Sequence, residues 1–114
     1  ISSSANTFKQ CYTATEGSVF YLSSSGITFT DSASTFKENA GLLGQIYCQT
    51  CSATFISSIF KGSVARSASI LYMSDASTVI FNSVQMTYGK ARVHAGAIMA
   101  EGTGSASISF LNCP

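Results

Sequence analysis

Four cysteines, one histidine and five carboxylates are the groups from which this 114-residue chain could build a reactive site. Cys48 and Cys51 stand in CQTC, a spacing used by redox dithiols, zinc pairs and local disulfides. A zinc site would need a second pair at ligand spacing, and His94 stands by itself, so metal binding is not expected. Two readings of the pair remain: a disulfide that stabilises a turn in an oxidising setting, or two thiols packed in a core. Acid–base or metal-assisted catalysis needs several carboxylates on adjacent positions. Glu16, Asp31, Glu38, Asp75 and Glu101 fall at different points of the repeat described below, so neither an enzyme nor a cofactor site is expected. Lys9, Lys37 and Lys61 are more regular, because each follows a phenylalanine.

The elements that would carry these groups follow from composition and recurrence. The chain is 46% hydrophobic and only 10% charged, with a net charge of +1, which suits one domain whose polar surface is made of hydroxyls rather than ions. Abundant Ser and Thr favour strand and turn over helix. No apolar run reaches the length of a membrane span, and so weak a net charge gives no field for nucleic acid.

Three apolar columns recur. Phe29, Phe55, Phe81 and Phe110 are 26, 26 and 29 residues apart, and Ile1 lies 28 before the first. Phe8, Phe36, Phe60 and Met86 follow at 28, 24 and 26, and Val19, Ile46, Ile70 and Ile98 at 27, 24 and 28. Side chains that recur by translation point to parallel stacking, one coil on the next, whereas a hairpin meander would mirror them. The expectation is an all-β, right-handed parallel β-helix of about four coils, three short strands per coil, forming a single domain over residues 1–114 and a stack of roughly 20 Å.

Period-two alternation assigns the faces. Ile27, Ala53, Val79 and Ile108 point inward with the first phenylalanine column, and Thr28, Thr54, Ile80 and Ser109 point outward. Beside the third column the alternation sends Phe20, Tyr47, Leu71 and Met99 outward, an apolar ladder suited to contact with another protomer or another part of a longer chain. Lys9, Lys37 and Lys61 form an outward basic stripe, either a solvated edge or a surface for carboxylates of a neighbouring protomer or an acidic polysaccharide.

The tetrapeptides EGSV, LGQI, SASI and AGAI end on Val19, Ile46, Ile70 and Ile98, ten to twelve residues after Phe8, Phe36, Phe60 and Met86. With FKEN at 36–39, this pattern resembles the Phe-x-x-Asn and Gly-Gly-Ala-Ile repeats of right-handed parallel β-helix surface proteins of the polymorphic outer-membrane protein and adhesin type. Asn39 keeps the asparagine, while Cys11, Ser63 and Gly89 stand at the matching positions. The resemblance implies an extended, passive role outside the cell or at its surface, although other proteins of this architecture cleave pectin.

An expectation about assembly follows from the columns. Ile1 and Phe110 fall in one column, so the solenoid reads as uncapped, open to a further coil at either end. That coil would come from a second copy, head to tail, or from flanking coils of a longer chain. Cys11 and Cys113 lie too many coils apart to bond within a chain, and a bridge between stacked copies is the alternative. Glycans are a further possible partner. The expected function is a non-catalytic subunit of an extracellular filament or stalk; the alternative is a polysaccharide-binding or polysaccharide-cleaving domain.

Overall fold

The computed structural model describes residues 1–13, 19–23, 27–61, 64–67, 69–75, 77–87, 90–94, 97–101 and 107–113, with backbone alone at 66, 90 and 92–94. Glu16, Ser63, Gly89 and the side chain of His94 lie outside the described set. Every element among these residues is a strand. The chain runs through β1 (Ser2–Ser4), β2 (Thr7–Lys9) and β3 (Phe20–Ser23), then β4 (Thr28–Ser32), β5 (Thr35–Lys37), β6 (Ala40–Leu43) and β7 (Ile46–Gln49). It continues through β8 (Ser52–Ile56), β9 (Ile59–Lys61), β10 (Val64–Ser67) and β11 (Leu71–Ser74). The last turn is β12 (Thr78–Asn82), β13 (Gln85–Thr87), β14 (Lys90–His94) and β15 (Ile98–Glu101), followed by β16 (Ser107–Leu111).

Parallel pairing between successive turns makes four sheets. The first is β1-β4-β8-β12-β16, the second β2-β5-β9-β13, the third β6-β10-β14 and the fourth β3-β7-β11-β15. The fold is therefore a parallel β-solenoid. Among the described residues three turns carry all four strands, β4–β7, β8–β11 and β12–β15, with β1–β3 before them and β16 after, so the expected three strands per coil become four and the expected four coils about three. The added sheet is short and breaks register between Ala65 and Ser67, and its sequences AGLL and VARS show no clean alternation, which is why they read as turns.

Single residues turn the corners. Ala5, Ala33, Ser57 and Ser83 have φ between 52° and 60° and join the first sheet to the second, and Asn112 repeats the conformation after β16 at 53°. Left-handed conformation costs roughly 1–2 kcal/mol for a residue with a Cβ. The stack offsets this by satisfying each freed donor: the Ala5, Ala33, Ser57 and Ser83 N–H groups donate to Ser32, Ile56, Asn82 and Leu111 carbonyls, each at 2.8 Å. Gln10 and Glu38 repeat the device after the second sheet, and Thr50 and Asp75 after the fourth. Gly44 has φ 68°, and a Cβ there would lie 2.9 Å from the Ile46 carbonyl oxygen and 3.0 Å from the Tyr72 nitrogen. This glycine of LGQI is required by close approach of the backbones.

The core is an aromatic stack. Phe8, Phe36, Phe60 and Met86 are in register along the second sheet, with ring centroids 5.0 Å apart for Phe8–Phe36 and 4.4 Å for Phe36–Phe60. Phe55, Phe81 and Phe110 stack along the first sheet at 5.4 Å per step, and edge contacts such as Phe55–Phe60 at 5.5 Å lock the two columns together.

Two registers differ from expectation. Phe29 pairs with Ala53, and Asp31 with Phe55, so the first column reads Ser3, Asp31, Phe55, Phe81, Phe110. The residue between Phe29 and Asp31 is Thr30, and the outward ladder is Thr30, Thr54, Ile80, Ser109 rather than one beginning at Thr28. Ile1 consequently falls beside Phe29 and not in the Phe110 column. The turn from Asp31 to Phe55 is 24 residues long, and aligning like with like concealed it. On the fourth sheet Phe20, Ile46, Leu71 and Ile98 align. Here two successive N–H groups share one carbonyl of the next turn, Val19 and Phe20 on Gln45, Gln45 and Ile46 on Ile70, Ile70 and Leu71 on Ala97. Alternation therefore restarts one residue later than at Val19 and Ile70.

Candidate functional surface

The second sheet presents the expected basic stripe. Its strands are three residues long, with phenylalanine or methionine pointing in and a residue on each side pointing out. Lys9, Lys37 and Lys61 are paired in register, and Thr87 takes the fourth position. Adjacent strands lie about 4.8 Å apart, so like charges recur at that interval along the axis. Glu38 Oε1 lies 3.7 Å from Lys37 Nζ, a half-exposed pair of the kind that adds little to stability. On the other flank Thr7, Thr35, Ile59 and Gln85 form a parallel row.

The fourth sheet also carries an outward ladder, with a different membership from that expected. The shift of one residue sends Phe20 and Leu71 into the core, where Leu71 is fully buried and Phe20 packs edge-on against Phe8. Tyr21, Tyr47, Tyr72 and Met99 align on the opposite face of the sheet, where Tyr21 is exposed, Tyr47 and Met99 are half-buried and Tyr72 is buried. The tyrosine rings stack nearly parallel, at 4.8 Å and 4° for Tyr21–Tyr47 and 5.5 Å and 5° for Tyr47–Tyr72. Beside them Ser23 Oγ donates to Gln49 Oε1 at 2.8 Å and Gln49 Nε2 donates to Asp75 Oδ2 at 3.1 Å, so one hydrogen-bonded row crosses three turns. Tyr47 and Met99 keep their expected outward places. Tyr21 and Tyr72 were missed because the shared carbonyl that delays the strand leaves no mark in residue type.

Polar residues inside the solenoid serve the corners. Asn39 is buried; its Oδ1 accepts the Cys11 N–H at 2.8 Å, and its Nδ2 donates to the Phe8 carbonyl at 3.1 Å and Gln45 Oε1 at 2.6 Å. The asparagine of FKEN thus ties one turn to the next where the second sheet ends. Cys48 and Cys51 form a disulfide with Cα atoms 5.7 Å apart, across the corner from the fourth sheet to the first, which resolves the two readings of CQTC. Ser77 Oγ bonds the Ser74 carbonyl at 2.8 Å and receives the Cys51 N–H at 3.3 Å. Asp31 is fully buried, takes the Ser58 hydroxyl at Oδ2, and has no partner at Oδ1.

Cys11 and Cys113 are free, and the register changes what they can do. Cys11 occupies the Asn39 position at the end of the second sheet. Cys113 follows Leu111, which pairs with Asn82, and therefore stands over Val84 at the beginning of that sheet. A turn added in register would set Cys113 near Asn6, a strand's length from Cys11, beyond disulfide reach. The bridge expected between stacked copies does not fit in-register stacking.

Of the described carboxylates, Asp31 lies in the core, Glu38 at the second corner, and Asp75 and Glu101 at the last, on successive turns. Among the described residues no three His, Cys, Asp or Glu side chains converge on a point that could hold a metal. Among the same residues no helix is long and apolar enough to cross a membrane. At the edges of the first sheet Ile1, Phe110 and Leu111 are 75%, 53% and 50% exposed, and Phe110 stacks on Phe81 with nothing stacked on its far face among the described residues. No protein-family model, curated protein or solved structure matches the chain.

Proposed function

We propose that the chain is a structural, non-catalytic solenoid segment of an extracellular filament or surface stalk, extended by further turns stacked on its edge strands. One observation carries the reading. Phe110 lies on Phe81 at 5.4 Å and 16°, as Phe81 lies on Phe55 at 5.4 Å and 18°, yet it is half exposed, so the lattice repeats to its last strand and offers the same contact again. Edge strands with unpaired backbone groups and apolar faces are templates for pairing. The next turn comes from a second copy of the chain, a heterologous contact that grows as a filament, or from flanking coils of the same polypeptide.

The disulfide supports an oxidising location outside the cell. The role of Asn39 supports the resemblance to polymorphic outer-membrane protein and adhesin repeats, because it gives the Phe-x-x-Asn asparagine a structural purpose that any solenoid of this type would share. Electron microscopy and sedimentation of the purified chain test the proposal: filaments or a concentration-dependent series of oligomers are expected for the stacked copy, abolished by Phe110→Asp. A monodisperse monomer at every concentration would exclude self-stacking and leave only the longer polypeptide, for which flanking sequence must extend the 26-residue recurrence.

A further inference from the structure

Charge is segregated around the solenoid. All six basic residues stand on the second and third sheets: Lys9, Lys37 and Lys61 on β2, β5 and β9, Arg66 on β10, and Lys90 and Arg92 on β14. The strands of the first and fourth sheets carry none. Of the described carboxylates, Asp31 is buried, Asp75 and Glu101 lie at the corner between the fourth and first sheets, and Glu38 alone reaches the basic side, 3.7 Å from Lys37 Nζ. Lys9 and Lys61 are exposed and Lys37 is partly so.

We propose that the outer face of the second sheet binds a linear anionic polysaccharide, its acidic groups running along the Lys9–Lys37–Lys61 ladder. Parallel in-register pairing holds the three strands that carry these ammonium groups at one strand spacing, about 4.8 Å. Among the described residues a single carboxylate, Glu38, faces these three cations, so the ladder is left with mutual repulsion that a polyanion relieves by replacing the counterions it holds. Lysine suits an anionic polymer whose groups do not recur at the protein's own interval, because each ammonium is a point charge on a flexible stem. Thr87 in line with the lysines, and Thr7, Thr35 and Gln85 on the flanking row, add hydroxyl and amide groups that can bond sugar hydroxyls. A second copy is a poorer complement. Its exposed acidic corner offers two carboxylates to three lysines, and Asp75 Oδ2 already accepts a bond from Gln49.

Elution of the intact chain from immobilised dextran sulfate by a salt gradient, with uncharged dextran as control, tests the assignment. Retention is expected on dextran sulfate only. The triple variant Lys9→Gln, Lys37→Gln, Lys61→Gln should bind about tenfold or more weakly with a shallower dependence on salt, while its circular dichroism stays unchanged and its melting temperature does not fall. Glu38→Gln, which removes the competing carboxylate and leaves the corner conformation to a side chain of the same shape, should be retained to higher salt. Undiminished retention of the triple variant would refute the proposal, as would an unaltered profile for Glu38→Gln. Tighter binding to a single-stranded oligonucleotide of equal charge, or loss of self-association with no effect on polysaccharide retention, would reassign the stripe to nucleic acid or to a second copy.

Discussion

Two aromatic ladders run along the solenoid, one inside the second sheet and one outside the fourth. Phe36 and Phe60 stack at 4.4 Å and 7°, and Tyr21 and Tyr47 at 4.8 Å and 4°. Their geometry is nearly the same although Phe36 and Phe60 are fully buried and Tyr21 is 56% exposed. Ring stacking here is imposed by parallel in-register pairing, which sets each side chain above its counterpart, rather than by burial. What burial changes is energy. The inner ladder removes apolar surface from water on all sides and packs against a second column, whereas the outer one grades from exposed Tyr21 through half-buried Tyr47 to buried Tyr72 and gains mainly the ring contacts. In one turn the strand of each ladder leads into a fastened corner: Asn39 after β5, the Cys48–Cys51 disulfide between β7 and β8.

This contrast can be broken at its strongest point first. Phe36→Ala opens a cavity between Phe8, Phe60 and Phe55 and should lower unfolding free energy by about 3–5 kcal/mol, measured by denaturant titration. Asn39→Ala comes next, at about 2–3 kcal/mol, because it leaves a backbone N–H, a carbonyl and the Gln45 amide short of partners inside the solenoid; a loss no larger than that of an exposed substitution would show that the corner is held by the backbone alone. Cys48→Ala with Cys51→Ala should cost about 2 kcal/mol through the short loop the bridge closes, seen as a lower melting temperature that reductant reproduces in the native chain. Tyr47→Ala, in the middle of the outer ladder, should cost about 1 kcal/mol. If it rivals Phe36→Ala, the two ladders are energetically alike and the contrast fails. Smallest is Ala33→Gly, where relief of a left-handed residue with a Cβ opposes the extra freedom of the unfolded chain, for a gain within about 1 kcal/mol; Ala33→Val should lose stability in the same measurement.

Residue type and recurrence determined the class of fold, because a parallel stack repeats its side chains by translation and hydrophobic columns such as Phe8, Phe36, Phe60 and Met86 cannot arise from a meander. The lysine stripe was equally legible, being tied to those phenylalanines by one residue of backbone. Register elsewhere was decided only in three dimensions. Asp31 rather than Phe29 lies in the Phe55 column, since the length of the intervening turn, not the likeness of side chains, sets which residues pair. Phe20 and Leu71 read as outward and are core, since one carbonyl accepting two successive N–H groups moves the alternation by a residue. The fourth strand of each turn, the left-handed corners at Ala33 and Ser57, and the separate corners of Cys11 and Cys113 depend likewise on backbone hydrogen bonds between turns, which any side chain can flank and no spacing announces.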